Sequence, residues 1–229
     1  MIEIRDVSRV YHRGADEVHA LEHVSLRIKR GRFAALMGPS GSGKSTLLNI
    51  LAGLDRPTSG VVEVAGQRLG DLSEDQLAAF RARHVGFVFQ FFNLIPVLNA
   101  RDNVALPLLL TKLGKADRRT RAETALRVVG LADRADHKPG EMSGGEQQRV
   151  AIARAFVTDP EIVVADEPTG DLDAKNAVEI LALLRDLARE FGKTVVMVTH
   201  DPRGEAYVDE IHHLDNGVLW DSIPGGGGA

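Results

Sequence analysis

The chain has 229 residues, 44% of them hydrophobic, which is enough for one large domain or two small ones with a buried core. Its formal net charge of −4 offers no electrostatic basis for binding a phosphodiester backbone, so no nucleic acid is expected as a partner. It contains no cysteine, which excludes a disulfide framework and a thiolate metal site.

The N-terminal region is predicted to form short antiparallel strands. Its first residues, Met1–Asp6, alternate apolar and charged side chains like an edge strand, and they lack the apolar core of a signal peptide. The rest of the first 30 residues and the segment 60–67 also have the pattern of short strands. We therefore expect an N-terminal antiparallel β-subdomain on a soluble protein that stays in the cytoplasm.

Four continuous apolar runs are typical of strands buried on both faces of a parallel sheet. They are Phe33–Met37, Val85–Phe89, Ile162–Ala165 and Val195–Val198. A helix after Asp173, with Gly192 as its stop, is predicted to join the last two runs. Its expected buried face consists of Ala177, Ile180, Leu181, Leu184, Leu187 and Phe191. Alternating strands and helices predict an α/β core.

Three further features complete the predicted organisation. A mostly helical segment, about residues 93–157, is inserted between core strands. The sequence Asp215-Asn216-Gly217 predicts a late hairpin turn, and the glycine-rich end, residues 224–229, predicts a flexible tail. We therefore expect a single domain over residues 1–223.

The segment 38–46 follows the first apolar run and opens a helical run, residues 47–51, which is the order strand, phosphate-binding loop and helix. Its glycines let successive N–H groups turn inward toward a phosphate chain, and the helix start adds the positive end of a dipole. Lys44 supplies a mobile charge for the outer phosphates, and the Ser45 hydroxyl is a ligand for Mg²⁺. The nucleotide-binding residues predicted here are Gly38, Pro39, Ser40, Gly41, Ser42, Gly43, Lys44, Ser45 and Thr46.

Polar groups follow three strands at the carboxyl edge of the predicted sheet, where open α/β sheets bind their ligands. Asp166 is suited to holding Mg²⁺, and Glu167 to orienting and deprotonating a water that attacks the γ-phosphate. The alternative for this acidic pair is an ordinary charged strand exit. His200 is assigned a hydrogen bond to the γ-phosphate or to that water. Gln90 follows the strand Val85–Phe89, within reach of the metal or the water.

The segment 142–149 is a second candidate anion site. Ser143 and Glu146 have the spacing of a capping box, and a helix, Val150–Val157, follows. A helix start with two bare glycines, Gly144 and Gly145, is suited to binding an anion. On spacing alone, however, a simple helix cap is the preferred interpretation.

Together and in this order, these motifs make the chain resemble the nucleotide-binding subunit of an ATP-binding cassette (ABC) transporter. The resemblance runs from about residue 1 to 222. It implies an α/β fold: a P-loop NTPase core with a parallel sheet, an N-terminal antiparallel β-subdomain and an inserted helical subdomain. The segments 86–96, 103–108, 168–170 and 199–202 are most similar to the branch that contains lipoprotein-release, macrolide-export and cell-division transporter ATPases.

The resemblance also implies a homodimer that closes head to tail around two molecules of ATP with Mg²⁺. In that arrangement the signature run Ser143, Gly144, Gly145 and Glu146 of one copy lies at the γ-phosphate held by the other copy's phosphate loop. One chain would thus carry two anion sites, each half of a composite pocket.

Two further assignments come from the resemblance. Tyr11 matches an aromatic residue that stacks on adenine, with a half-exposed strand tyrosine as the alternative. Asp171 and Asp173 match a loop that joins the two sites across the dimer, although Asp173 is also placed to cap its helix.

The implied function is an ATPase that drives a separate integral-membrane permease from the inner face of the cell membrane. The alternative is a regulatory ABC ATPase of a cell-division or cell-envelope complex that transports nothing. The apolar side chains beside Gln90, which include Phe92 and Leu94, either pack the helical insert on the core or line a groove for a helix of a membrane partner.

Three positions depart from the family's usual residues: Met142 replaces a leucine, Glu146 a glutamine and Gly170 a serine. The first is a volume-conserving change, and the second adds a negative charge near a phosphate site. None removes a metal ligand, the base or the lysine, so we expect an active ATPase.

Overall fold

Two sheets and six α-helices form the part of the chain that the computed structural model describes, residues 1–14 and 16–225. In chain order these elements are β1 (Ile2–Arg13), β2 (Asp16–Ile28), β3 (Phe33–Met37), α1 (Lys44–Leu51), β4 (Ser59–Val64), β5 (Gln67–Arg68), α2 (Glu74–His84), β6 (Val85–Val88), α3 (Ala100–Ala105), α4 (Lys115–Val128), α5 (Gly144–Phe156), β7 (Ile162–Asp166), α6 (Ala174–Arg189), β8 (Thr194–Val198), β9 (Glu210–Asp215) and β10 (Val218–Pro224). Short 3₁₀ turns lie between them, at Leu69–Asp71, Leu106–Leu110, Ala132–Arg134, Pro139–Glu141 and Pro202–Ala206.

The larger sheet has the strand order β10-β9-β3-β8-β7-β6, and all its neighbours are parallel except β9 and β10. Every residue of β3 and β8 is buried, which explains why these strands are continuous apolar runs. Parallel strands end at the same edge of a sheet, so the loops after β3, β7 and β8 meet there. The parallel α/β core predicted from the sequence is confirmed.

The smaller sheet, with the order β2-β1-β4-β5, is antiparallel, as predicted. The prediction of an edge strand at the N-terminus was wrong, because β1 pairs with β2 on one side and with β4 on the other. Its alternation arises because one face is buried: Ile2 and Ile4 lie in the core, whereas Arg5 is exposed. The strands β1 and β2 are also long, with 12 and 13 residues.

Two apolar cores flank the larger sheet. One contains side chains of the sheet, of α6 and of α3, α4 and α5, the three helices that lie between β6 and β7 in the chain. The other joins the two sheets through α1. The boundaries 93–157 of a separate helical subdomain stay a prediction. Across residues 1–14 and 16–225, no helix combines the length and apolar character that crossing a membrane requires.

Helices α1 and α5 both begin earlier than their sequence patterns predicted. Helix α1 begins at Lys44 because Gly43, in a left-handed conformation, is its N-cap and accepts the N–H of Leu47 at 2.9 Å. Helix α5 begins at Gly144 because Ser143 caps it. In both helices the first turn is polar or glycine-rich, so apolar periodicity does not reveal it.

Three predicted segment ends were also wrong. Strand β6 ends at Val88, so Gln90 lies two residues beyond it. Helix α6 ends at Arg189, which leaves Phe191 outside the helix and 46% exposed. Pro224 belongs to β10 opposite Glu210, and the Gly225 N–H donates to the Asp209 carbonyl at 2.9 Å. The rest of the predicted tail, residues 226–229, lies outside the described residues.

Candidate nucleotide-binding site

The phosphate loop between β3 and α1 is held in place by close backbone contacts. A Cβ on Gly38, which has φ 148°, would lie 1.9 Å from the carbonyl oxygen of Leu214. A Cβ on Gly43 would lie 2.3 Å from the carbonyl oxygen of Ala20. Glycine is therefore required at both positions by space as well as by conformation.

The Lys44 side chain folds back onto the phosphate loop and binds its backbone. Its Nζ donates to the carbonyl oxygens of Gly38 and Pro39, at 2.9 and 2.6 Å, and lies 3.4 Å from the Ser42 hydroxyl. The side chain is buried, and this burial lowers the pKa of Lys44, whereas the negative charges of the two acids at the end of β7 oppose the shift. The ammonium group is thus fixed at the loop.

A cavity of about 310 Å³ lies against this loop. It is lined by Tyr11, Val18, His19, Ala20, Gly41, Ser42, Gly43, Lys44, Ser45 and Thr46. Tyr11 therefore shares one cavity with the phosphate loop. No residue of the signature run 143–146 is among the described residues that line it.

Two charged neighbours fix the Tyr11 ring. Its hydroxyl donates to a carboxylate oxygen of Asp55 at 2.6 Å, and the Arg9 guanidinium lies 4.3 Å from the ring centroid. Arg9 also donates twice to Asp55, at 2.8 and 3.0 Å. No sequence pattern indicated a role for Asp55, which is 44 residues away from Tyr11.

Ser45 and Asp166 meet at the carboxyl edge of the larger sheet. The Ser45 hydroxyl donates to Asp166 Oδ1 at 3.2 Å. Burial raises the pKa of Asp166, and the hydrogen bond from Ser45 opposes this shift. A hydroxyl and a carboxylate are hard oxygen donors, and Mg²⁺ at phosphate sites takes one or two such ligands beside phosphate and water. The donor set therefore fits Mg²⁺.

Glu167 and His200 form a pair beside that site. His200 Nδ1 lies 2.9 Å from Glu167 Oε1, whereas the sequence-based expectation for His200 was a contact with phosphate or water. Glu167 has φ 47°, a left-handed conformation that costs a non-glycine residue on the order of 1 kcal/mol and often occurs at functional sites. Its N–H donates to the Val198 carbonyl at 3.0 Å, which fixes this conformation to the neighbouring strand.

Gln90 lies against the loop that follows Glu167. A Cβ on Gly170 would be 3.0 Å from Gln90 Nε2, so the amide packs on this glycine. The predicted reach of Gln90 to the metal or the water stays a prediction. A Cβ at position 170 would be tight against this amide, but the amide is the end of a flexible side chain, so a small shift of Gln90 would accommodate it.

The start of α5 is a complete capping box. Glu146 Oε2 accepts the N–H of Ser143 at 2.8 Å and its hydroxyl at 3.0 Å, and the Glu146 N–H lies 3.3 Å from Ser143 Oγ. Glu146 Oε1 accepts from Arg134 Nε at 3.0 Å. The hydrogen bond from the Ser143 amide, followed by that from Arg134, lowers the pKa of Glu146. The carboxylate is therefore bound at the cap.

The signature run also contacts the first turn of α6. A Cβ on Gly145 would lie 2.2 Å from Asn176 Oδ1, and Asn176 Nδ2 donates to Asp173 Oδ2 at 2.6 Å. Asp173 accepts the Asn176 N–H at 2.9 Å and so caps α6, as the alternative reading of this residue proposed. Asp171, the other predicted residue of this loop, is exposed.

Two polar residues that the sequence analysis missed join α5 to the segment after β6. Gln148 is fully buried, and its Nε2 donates to the carbonyl oxygens of Phe89 and Pro168, at 3.3 and 2.7 Å. Arg154 donates to the carbonyl of Phe92 at 2.7 Å. Both side chains fix the backbone around Gln90 to α5.

Two roles were considered for the apolar residues beside Gln90, packing of the helical insert on the core and lining of a groove for a partner helix. Some of these residues are packed and others are exposed. Leu94 packs against the core, and the Phe92 ring lies 3.7 Å from the Cβ position of Gly144. Phe91 is 73% exposed, and Leu110 80%. A cavity of about 470 Å³ is lined by Leu110, Phe87 and Phe89, and by residues of α2, β6 and α5 that include Arg81 and Arg154.

Comparison with known proteins agrees with this geometry. The family model described as ABC transporter matches residues 21–170. The lipoprotein-releasing system ATP-binding protein LolD of Chromohalobacter salexigens is 47% identical over 219 residues, which cover 96% of this chain and 92% of that protein. The macrolide export ATP-binding/permease protein MacB 1 of Yersinia pestis is 45% identical over 219 residues, but these cover only 34% of its length.

A solved structure matches nearly the whole chain. It is the dimer of the ATP-binding cassette MJ0796 of Methanocaldococcus jannaschii in a post-hydrolysis state, bound to ADP and Pi. The TM-score is 0.89 at 44% identity, and the match covers 98% of each chain. On these matches of sequence and fold, the chain belongs to the ABC transporter family.

Proposed function

We propose that this ABC ATPase dimerises around two Mg-ATP and drives a separate membrane permease of an export or lipoprotein-release type system. The proposal is carried by two contacts at the end of β7. Glu167 pairs with His200, and Asp166, the residue before Glu167, accepts a hydrogen bond from Ser45. A carboxylate base and a metal-binding pair at one sheet edge, beside a phosphate loop, are suited to hydrolysis of a phosphoanhydride bond.

The chain's own residues divide the chemistry as follows. Lys44 and the loop amides neutralise the phosphates, while Ser45 and Asp166 would hold Mg²⁺, which would neutralise further charge on the outer phosphates. Glu167 accepts a proton from the attacking water. His200 orients the Glu167 carboxylate through Nδ1, and its ring is largely exposed, so it would be free to contact an arriving γ-phosphate or the attacking water.

The homodimer follows from the incomplete cavity at the phosphate loop. Its described lining comes from β1, β2, the loop and α1, while the capped glycine start of α5 lies elsewhere on the same chain. A second copy placed head to tail would bring Ser143, Gly144 and Gly145 to the γ-phosphate. The dimeric state of the MJ0796 structures supports this arrangement. In such a dimer, Asp171 and Asp173 would lie in the loop between the two sites.

A permease partner is supported by the relatives and by the surface. The chain matches about a third of MacB 1, whose name includes a permease as well as an ATP-binding part. Phe91 and Leu110 are exposed apolar residues, and Leu110 lines a cavity together with Phe87 and Phe89. A helix of a membrane protein is suited to this groove, and it would hold the ATPase at the inner face of the membrane.

Substitution of Leu110 tests this surface. We expect Leu110→Asp to reduce permease-stimulated ATP hydrolysis at least about tenfold, because a charge would be buried against an apolar helix. Phe191→Asp is the matched control, since Phe191 is also exposed but is not among the described residues that line the groove. ATP hydrolysis is measured with the membrane protein encoded by the adjacent gene, reconstituted in liposomes. Equal stimulation of the two variants would contradict the docking surface, and failure of that membrane protein to bind at all would favour the regulatory alternative.

Tyr11 offers a separate test of the adenine contact. We expect Tyr11→Ala to weaken ATP binding about five- to tenfold through the loss of ring stacking. Tyr11→Phe keeps the ring and loses only the hydrogen bond to Asp55, so its ATP affinity should stay within about twofold of the parent. Isothermal titration of each variant with ATP and with inorganic triphosphate separates adenine from phosphate contacts. If Tyr11→Ala bound ATP like the parent, the stacking role would be excluded.

A further inference from the structure

Glu146 places a full negative charge at the helix start that is proposed to receive the partner copy's phosphate. Three donors hold its carboxylate: the N–H of Ser143, the Ser143 hydroxyl and Arg134 Nε. The side chain of Glu146 is 27% exposed and that of Arg134 is 41% exposed, so the ion pair lies at the surface of the isolated chain.

The Ser143 hydroxyl cannot serve both the carboxylate and a phosphate as donor. A serine has one O–H, and in this structure it points to Glu146 Oε2, at 3.0 Å. A phosphate oxygen accepts only, so Ser143 must turn its proton away from Glu146 to bind it. Glu146 then keeps two of its three donors, the Ser143 amide and Arg134.

We propose that Arg134 is a positioning residue for the composite ATP site. It binds the Glu146 carboxylate on the side away from Ser143 and thereby frees the Ser143 hydroxyl for the γ-phosphate of the partner copy's ATP. This inference rests on the proposed head-to-tail dimer, and it assigns a role to a residue outside the phosphate loop, the strand ends and the signature run.

The geometry singles out Arg134 for this role. Its Nε is bound to Glu146 Oε1, whereas its other charged contact, Asp133, is 3.9 Å from Nη1 and largely exposed. Closure of a dimer over this surface would remove water from the pair. The electrostatic interaction of Glu146 with both Arg134 and a phosphate would then strengthen, so an unpaired carboxylate would repel the nucleotide.

The test is ATP-driven dimerisation in the hydrolysis-blocked Glu167→Gln background, followed by light scattering. We expect Arg134→Ala to raise the ATP concentration at half-maximal dimerisation about tenfold. The ATP affinity of the monomer, measured at a protein concentration below that of dimerisation, should not change, because Arg134 acts on the other copy's nucleotide. Adding Glu146→Gln to Arg134→Ala should restore the half-point to within about twofold of Glu146→Gln alone, because the neutral amide needs no counter-ion.

Arg119→Ala is the matched control, since Arg119 forms an ion pair with Glu123 at 2.8 Å on the exposed face of α4. It should leave the half-point unchanged. Arg134→Gln replaces Arg134→Ala if the melting temperature shows that the alanine variant is unfolded. An unchanged half-point for the Arg134 variant, or a shift that Glu146→Gln does not relieve, overturns the role of Arg134 alone. A Glu167→Gln parent that stays monomeric with saturating ATP and Mg²⁺ overturns the proposed dimer as well.

Discussion

Glu167→Gln is expected to lower ATP turnover by at least about a hundredfold while ATP binding and the dimer persist. The glutamine side chain has nearly the same shape and can still accept a hydrogen bond from His200, whose Nδ1 lies 2.9 Å from Glu167 Oε1. It cannot take a proton from water at neutral pH. Lys44, Ser45 and Asp166 are untouched, so the nucleotide and its metal should bind as before.

Glu161→Gln is the matched control for that variant. Glu161 lies just before β7, at the end of the strand opposite to Glu167. Its carboxylate also pairs with a histidine, His84, at 2.9 Å. Turnover, measured as phosphate release with ATP and Mg²⁺, should stay within about twofold of the parent when this carboxylate is neutralised. Near-normal turnover of Glu167→Gln, or an equal loss in Glu161→Gln, would contradict a specific role for Glu167 as the base.

The sheet edge was predictable because local patterns determine it. Continuous apolar runs indicated parallel strands, and parallel strands bring their carboxyl ends together, so Asp166 and His200 were expected near the phosphate loop before any contact was known. The glycine spacing of that loop requires only nine consecutive residues, 38–46. Local spacing likewise predicted the capping box between Ser143 and Glu146.

The contacts between side chains were harder to predict, because they join residues that are distant in the sequence. His200 binds Glu167, 33 residues away, and Tyr11 binds Asp55. Gln90 packs on Gly170 only because β6 ends at Val88 and the chain turns toward the loop after β7. Such pairs depend on how strands are ordered in the sheet, which apolar periodicity does not specify.

One missed residue had a sequence signal. In α5 the apolar residues Ile152 and Ala155 lie four and seven positions after Gln148, on the same side of the helix, and all three are buried, so Gln148 lies on a buried stripe. A polar side chain on such a stripe needs partners, and Gln148 finds two backbone carbonyls, on either side of the catalytic region. The periodicity thus indicated a buried amide, although not the groups that it would bind.

Lys44→Ala is expected to raise the dissociation constant for ATP at least about thirtyfold, which corresponds to the loss of a charged hydrogen bond in a partly buried site. The same ammonium also donates to the carbonyls of Gly38 and Pro39, so its removal loosens the empty loop as well. Both effects weaken ATP binding, and hydrolysis and ATP-driven dimerisation should fall with it. Isothermal titration with ATP and Mg²⁺ measures the loss.

Lys193→Ala separates this loss from the general cost of removing a buried lysine. The two lysines are similarly buried, since Lys193 is 9% exposed and Lys44 is 7% exposed. Lys193 pairs with Asp159 and lies just before β8, whereas Lys44 follows the phosphate loop after β3. Its replacement should lower the melting temperature and leave ATP affinity within about twofold of the parent, because it removes a charged contact far from the phosphates. If the two lysine variants lost ATP affinity equally, the effect would belong to stability, and Lys44 would have no direct contact with the nucleotide.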